Sequence, residues 1–243
     1  MDQSANGAAS VVARLVDLIM SDNLAPGDSL PSVRELAQRW KLGRNVVRDG
    51  LLHAQVLGLV QIRPRSGVVV RAVDHGPIIA ALSQTLAVGL RQQDPSLVHL
   101  WQARAIIEME TAAEAARRRL PEDLQRLDQC LLEMQQAHDD RGGFVQADER
   151  FHLTIAEIAG NPVMRILLDA LLKVLRPHRL YLPPGESTEQ TMATHMAIYT
   201  AIAEGDSAQA SRIMGEHCHR HARLLLHPST RLPAGRAVSV SSA

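Results

Sequence analysis

One interruption of helical periodicity limits what this chain can fold into more than any other feature. Two short β-prone stretches, Val60–Arg63 and Val68–Arg71, flank Pro64-Arg65-Ser66-Gly67 in a sequence that otherwise repeats its apolar residues at helical spacing. Such a pair around a Pro/Gly turn reads as a hairpin, here with a basic tip. Ahead of it the spacing predicts three short helices: one from about Ser10 with Val12, Leu15, Val16 and Ile19 on one stripe, one at about Ser32–Trp40, and one from about Arg44 to Leu57. Ser32 and Glu35 form an S-x-x-E capping box, in which each side chain satisfies the other residue's free backbone N–H. Pro26-Gly27-Asp28 and Lys41-Leu42-Gly43 mark the turns. Three helices closed by a hairpin form the winged variant of the helix-turn-helix, whose third helix enters the DNA major groove.

Beyond the hairpin, Ala72–Pro77 breaks both periodicities and is the expected domain boundary. From Pro77 to His227 the pattern is helical and punctuated by Asp94-Pro95, Leu120-Pro121, Arg141-Gly142-Gly143, Gly160-Asn161-Pro162, Pro183-Pro184-Gly185 and Glu204-Gly205-Asp206, which leaves about seven helices. Their uneven spacing argues against a solenoid. The expected fold is therefore mainly α: a winged helix-turn-helix over residues 10–72, an all-α bundle over 77–228, and a disordered tail over 229–243, with residues 1–9 disordered as well. Hydrophobic residues make up 46% of the chain but aromatics only 2%, so the core must be built from aliphatic and alanine side chains, as suits helix-on-helix packing. Cys130 and Cys218 lack disulfide-framework or zinc-finger spacing and read as reduced thiols. No secretory pattern or membrane-length apolar run is present, so a cytoplasmic location is expected.

Formal charge balances at 26 basic and 26 acidic residues, yet the basic residues are not spread evenly. Between Pro31 and Arg71 there are eight (Arg34, Arg39, Lys41, Arg44, Arg48, Arg63, Arg65, Arg71) against two acidic residues, Glu35 and Asp49. A local excess in a neutral protein is the footprint of a phosphate-binding surface. Arg44 and Arg48 lie four apart on one face of the third helix, with Asn45 beside them. Arginine pairs with guanine and asparagine with adenine, which suits these residues to base reading. Arg34 is placed to reach phosphate or a base, and the tip Arg65-Ser66-Gly67 to enter the minor groove. Any one of these arginines alone would read as part of a solvated face; together, at the positions a winged helix presents to DNA, they point to an interface.

The run Leu24-Ala25-Pro26-Gly27-Asp28-Ser29-Leu30-Pro31-Ser32-Val33-Arg34-Glu35-Leu36-Ala37 resembles the N-terminal signature of GntR-family transcription regulators. Gly43-Arg44-Asn45-Val46-Val47-Arg48-Asp49-Gly50-Leu51 resembles their recognition helix, and Leu57-Gly58-Leu59-Val60 the approach to their wing. The resemblance covers roughly Val11–Arg71 and implies DNA contacts at Arg34, Arg44, Asn45, Arg48 and Gly67. The chain departs from the pattern at Val33, where an acidic residue is usual, at Asn45-Val46 in place of a Thr-Pro or similar pair, and at Gly50 in place of alanine.

In the second half the informative residues are histidines. Asp148 and His152 lie four apart on a helix whose buried stripe is Phe144, Phe151, Ile155 and Ile158, and Asp148 falls inside that stripe. A carboxylate there is costly unless it is paired or binds a metal. His195 sits among Met192, Tyr199 and Ile202, while His217 and His221 share the apolar stripe of the last helix. Each histidine alone would read as a hydrogen-bonded core residue, but one Asp and several His converging from three helices suit Zn²⁺, Mn²⁺ or Ni²⁺. Two other readings stay open. A di-metal bundle would use Glu149–His152 and Glu216–His219 with Glu108 and Glu204, although His219 lies about 200° around the helix from His217 at ~100° per residue. A metal-dependent hydrolase fused to a DNA-binding module would use Glu149 as its base.

Residues Pro77–His227 resemble the FCD domain of the FadR subfamily, on Arg104-Ala105-Ile106-Ile107-Glu108, Asp148-Glu149-Arg150-Phe151-His152, Gly160-Asn161-Pro162, His195 with Ala201-Ile202 and Gly205-Asp206, and Met214 with His217. The resemblance implies one divalent metal per chain, zinc before manganese or nickel, held by Asp148, His152, His195 and His217, with His221 in reserve. It also implies a small organic or sugar acid as effector, anchored by Arg104. An i,i+4 ion pair with Glu108 is the alternative role for Arg104. Asn161, a candidate effector contact, reads first as a helix cap before Pro162. The whole reads as a homodimeric regulator, a repressor in its expected mode, binding a double-stranded operator.

Overall fold

The computed structural model describes residues 3–63, 67–72, 75–91, 96–180 and 188–226. The chain divides into two units, Met1–Ala81 and Leu82–Ala243. The tip residues Pro64, Arg65 and Ser66, and the expected tail over 229–243, lie outside the described residues.

The first unit contains α1 (Gln3–Ser21), α2 (Val33–Trp40), α3 (Arg44–Val56) and the strands β1 (Val60–Arg63) and β2 (Gly67–Val70). Ser32 caps α2 through the reciprocal bonds its sequence predicts: Glu35 N–H donates to Ser32 Oγ at 3.3 Å, and Ser32 N–H donates to Glu35 Oε2 at 2.8 Å. The αL residue that ends α2 is Lys41, with φ 54°, and its N–H reaches back to the carbonyls of Ala37 and Gln38. The strands pair antiparallel with Val60 opposite Val70 and Arg63 opposite Gly67. Gly67 has φ +86°, a conformation that favours glycine, so its residue type is set by the backbone at the hairpin. Beyond the expected pair, the loop before α2 docks on β2: Gly27 N–H donates to Val70, Leu30 N–H to Val68, and Val70 N–H to Asp28. Leu15, Leu18, Leu30, Leu36, Val47, Leu51, Val60 and Val68 close the core over this scaffold.

α1 starts at Gln3, well before the expected Ser10. The small residues that read as a disordered leader belong to a close helix contact: Ala8 is buried, and a Cβ on Gly7 would lie 3.0 Å from Val46 Cγ1. Gly50 is explained by the same contact. Its backbone faces Val11 so closely that an added Cβ would come within 2.3 Å of Val11 Cβ and Cγ1.

The seven further helices among the described residues are α4 (Gly76–Arg91), α5 (Ser96–Arg118), α6 (Pro121–Gln136), α7 (Arg141–Ile158), α8 (Pro162–Leu180), α9 (Thr188–Glu204) and α10 (Ser207–Leu226). Gly76-Pro77, expected to end the linker, instead opens α4, where proline's missing N–H costs nothing. Gly142-Gly143, expected as a break, forms the first turn of α7, and Asp140 caps it by accepting from Gly142 N–H at 3.0 Å. The core of this unit is alanine-rich (Ala105, Ala112, Ala115, Ala116, Ala147, Ala201, Ala210), with Phe144, Phe151, Leu127 and Met134 filling the remaining space. Small residues bring the helices close and draw polar side chains from several of them into one interior. Cys130 and Cys218 are both free and buried.

Gly50→Ala supplies the residue the family prefers, yet here it must push α3 off Val11. Overpacking costs about 1–3 kcal/mol, against a helix-propensity gain of about 1 kcal/mol. A net loss of stability is therefore expected in urea unfolding, with recovery in the Val11→Ala/Gly50→Ala double variant. An unchanged midpoint for Gly50→Ala would refute the packing account.

Candidate functional site

On the first unit, Arg34, Arg44, Asn45 and Arg48 are all exposed, the first in the opening turn of α2 and the others in the first two turns of α3. Gly43 leads into α3 in an extended conformation with no side-chain cap, so the helix N-terminus is left open to an acceptor. Among the described residues Arg44 and Arg48 enter no ion pair, whereas Arg39, farther along α2, is 3.5 Å from Asp22. The free arginines and the helix N-terminus thus form one cationic face. Gly67 is exposed at the start of β2; Arg65 and Ser66 lie outside the described residues.

In the second unit, Asp148 and His152 from α7, His195 from α9 and His217 from α10 come together in the interior. One ligand atom from each lies within 4.8 Å of all the others, and all four residues are buried. His195 Nδ1–H donates to the Thr191 carbonyl at 2.8 Å, which leaves Nε2 as the ring's lone-pair nitrogen. That Nε2 lies 3.0 Å from Asp148 Oδ1 but makes no hydrogen bond, although it is fully buried. A buried acceptor aimed at a carboxylate suits a cation between the two. A donor set of imidazoles and one carboxylate fits a divalent transition metal, so the residues present fit such an ion.

A ring of charged groups surrounds the cluster. Arg104 on α5 is 1% exposed, and its Nε donates to Glu108 Oε1 at 2.5 Å. Its Nη2 lies 3.3 Å from His152 Nε2, while Nη1 has no hydrogen-bond partner. Glu108 Oε2 is 2.5 Å from His152 Nδ1, close but poorly aligned for a hydrogen bond. At the end of α8, Arg179 contacts Asp148 Oδ2 through Nη2, and its Nη1 donates to Glu149 Oε1 at 3.3 Å. Burial opposes charge on every one of these groups. Pairing outweighs it for Glu108, whose pKa is held at about 2 chiefly by Arg104, and for Asp148, which Arg179 above all keeps well below the usual carboxylate range. Burial wins at His152, lowering its pKa despite Glu108 and Asp148, so the ring is neutral near pH 7, the state a metal ligand needs.

Of the residues singled out in the sequence, the four proposed ligands converge, and Arg104 lies against them. The ion pair with Glu108, its alternative role, is present, yet one guanidinium nitrogen is left over. Asn161 is exposed and caps α8: its Oδ1 accepts from Val163 and Met164 N–H at 3.1 and 3.2 Å. The cap role accounts for the side-chain oxygen of Asn161. The side chain of His221 lies outside the described residues. His219 and Glu216 are exposed, so the second half of a di-metal motif points outward. Arg179 and Thr191 escaped notice in the sequence. Arg179 reads as a basic residue in a helix's last turn, Thr191 as a first-turn polar residue, and nothing in spacing aims either at α7 or His195. In the sequence Glu108 reads as a partner for Arg104 or as a ligand of a di-metal bundle; its contact with His152 needs α5 packed against α7.

The FCD domain family matches residues 99–220, and the gntR family of bacterial regulatory proteins matches residues 8–70. The chain belongs to the GntR family. Among its relatives, the HTH-type transcriptional regulator LutR of Bacillus subtilis is 30% identical over 82% of this chain and 92% of its own length. The HTH-type transcriptional repressor NanR of Cronobacter sakazakii is 32% identical over 85% of this chain and 80% of its own. A solved structure, Streptococcus agalactiae GntR, shares the fold with a TM-score of 0.67 at 22% identity, over 89% of this chain and 99% of that one. This GntR-family protein is thus a transcriptional regulator with an FCD domain, not an enzyme, which closes the hydrolase reading. No helix among its described residues is long and apolar enough to cross a membrane.

Arg104→Met would leave Glu108 ionised and unpaired in the core, a loss of about 3–5 kcal/mol. Urea unfolding should register it, and Arg104→Met/Glu108→Met should recover most of it. Because the pKa of Glu108 is depressed, its contribution is complete above the ordinary glutamate value of 4.5 and disappears as pH falls toward about 2. In the double variant this part of the acid sensitivity should be missing.

Proposed function

We propose that this regulator is a cytoplasmic, homodimeric repressor whose winged domains, residues 10–72 of each chain, read a short palindromic operator, and whose helical domains, residues 77–228, bind a small carboxylic acid beside one divalent cation. The observation that carries the sensing half is a buried Asp148–His152–His195–His217 cluster with a partly unsatisfied arginine against it. The Asp148 carboxylate and the Nε2 atoms of His152 and His195 would hold the ion together with His217, and zinc is the first choice over manganese or nickel. The bound ion would supply a Lewis-acidic positive charge to which an acid's oxygens are drawn.

Charge balance supports an anionic effector. Arg104 is neutralised by Glu108 and Arg179 by Asp148, so an added dication brings positive charge that the site does not offset. Burying such an excess is costly, and a carboxylate offsets part of it. Arg104 Nη1 is the natural anchor, because a guanidinium edge receives a carboxylate through directed N–H bonds. Trp101, with its ring centroid 4.9 Å from Arg104 Cζ, holds the guanidinium plane in orientation.

For DNA, Arg44 and Arg48 with Asn45 would meet base edges in the major groove, Arg34 a phosphate or base, and the wing tip Arg65-Ser66-Gly67 the minor groove. Two copies double the short stretch that one winged helix reads. The repressor mode is supported by the name of the NanR relatives. Release follows from linkage: an acid that weakens operator binding must itself bind less tightly to the operator complex.

Three outcomes are expected. Arg44→Ala and Arg48→Ala should each weaken binding to the operator, sought in DNA flanking the gene, by about 1–3 kcal/mol. Fluorescence anisotropy would measure this, and equal losses on random DNA would refute base reading. Metal analysis of the purified chain should find one ion per chain, lost in His217→Ala. A thermal-shift screen of organic and sugar acids should find a stabilising ligand only when the metal is present. Equal effector affinity with and without operator would sink the release mechanism.

A further inference from the structure

Arg179 is a cation already seated at the cluster. It is 4% exposed, and its Nη2 contacts Asp148 Oδ2, the carboxylate oxygen that lies 3.6 Å from His152 Nε2. The other guanidinium nitrogen, Nη1, is 3.3 Å from Glu149 Oε1. Glu149 is one residue along α7 and is not among the grouped ligands, and Arg176 lies 3.8 Å from it. One guanidinium therefore spans an inner carboxylate that belongs to the candidate metal site and an outer one that does not. The backbone of Arg179 is itself pinned, because Arg141 Nη2 donates to its carbonyl at 2.5 Å. The side chain can thus change partner while the helix end stays in place.

We propose that Arg179 is a displaceable counter-ion of Asp148, which yields the carboxylate to an incoming divalent cation and transfers its guanidinium to Glu149. The inference rests on the metal reading given above and deepens it. The contrasting role for an arginine here is to orient Asp148 from behind, so that metal binding depends on it. Support of that kind is lost on mutation, with affinity falling about 10–100-fold. Competition has the opposite sign. The position of Arg179 favours competition, since it holds the oxygen on the His152 side, where an ion shared by Asp148 and His152 would have to lie. A unit positive charge a few ångströms from a dication is also strongly repulsive in a buried site. Glu149 makes the exchange feasible, because the arginine never loses its last carboxylate.

The test titrates Zn²⁺ against a chromophoric chelator into the full-length protein, with urea unfolding as a check on folding. Arg179→Met should bind Zn²⁺ at least ~10-fold more tightly than wild type, the direction expected when a nearby positive charge is removed. A generally damaged fold would not tighten binding. Glu149→Gln should bind ~3-fold or more weakly, because the displaced guanidinium loses its destination. In the Arg179→Met background, Glu149→Gln should have no further effect. Equal or weaker Zn²⁺ binding by folded Arg179→Met overturns the proposal and leaves the metal reading intact. Should Arg179→Met fail to fold, Glu149→Gln decides alone: weaker binding supports the exchange, and unchanged affinity overturns it. If neither wild type nor Arg179→Met binds Zn²⁺, the metal reading itself fails and this inference falls with it.

Discussion

The helical unit depends on the neutralisation of charge within its core. Arg104, Glu108, Asp148 and Arg179 are buried in a bundle whose other interior residues are largely alanine and aliphatic. None could remain ionised there alone. Each is paired: Arg104 with Glu108 within α5, and Asp148 with Arg179 between α7 and α8. The histidines fill the gaps between the pairs, so α5, α7, α8, α9 and α10 all meet at one polar centre. Replacing such groups with well-packed hydrophobic residues often stabilises a protein. Their presence in a core that could have been apolar is thus better explained by function than by stability.

The network also links the parts of the site to one another. Glu108 lies between Arg104 and His152, so a change at Arg104 reaches a proposed ligand through one carboxylate. Asp148 lies between Arg179 and His195 in the same way. A cation or an acid bound there would share one set of partners with the protein's own charges, and none could change without redistributing the others. For a sensor this is useful physics. A weak binding event in a rigid, close-packed bundle becomes a choice between discrete pairing arrangements rather than a graded deformation.

The winged unit works on the opposite principle. Its arginines Arg34, Arg44 and Arg48 are exposed, as the proposed contacts with phosphates and base edges require. What must be rigid there is the frame. The Ser32–Glu35 capping box starts α2, Gly50 lets α1 lie against α3, and the Gly27–Leu30 loop adds to β2. α3 can present Arg44 and Arg48 because its other side is fixed by Val47, Leu51 and Ala54 in the core.

Much of this was legible in the sequence because it depends on local rules. Periodicity gave the helices and the hairpin, the capping box gave the start of α2, and the i,i+4 spacing of Asp148 and His152 gave two members of the cluster. Small residues misled: the leader around Gly7 and Ala8 and the pair Gly142-Gly143 looked like breaks, when they mark close packing and a capped first turn. Arg179, Thr191 and the second role of Glu108 were invisible, because each acts on a residue of another helix. By itself the sequence determined which segments are helical, which face of α3 is cationic, and that a carboxylate and several imidazoles must be buried. Only the tertiary structure decided which charge pairs with which. Spacing along a helix sets the direction of a side chain, but its partner is set by helix crossings that no local pattern encodes.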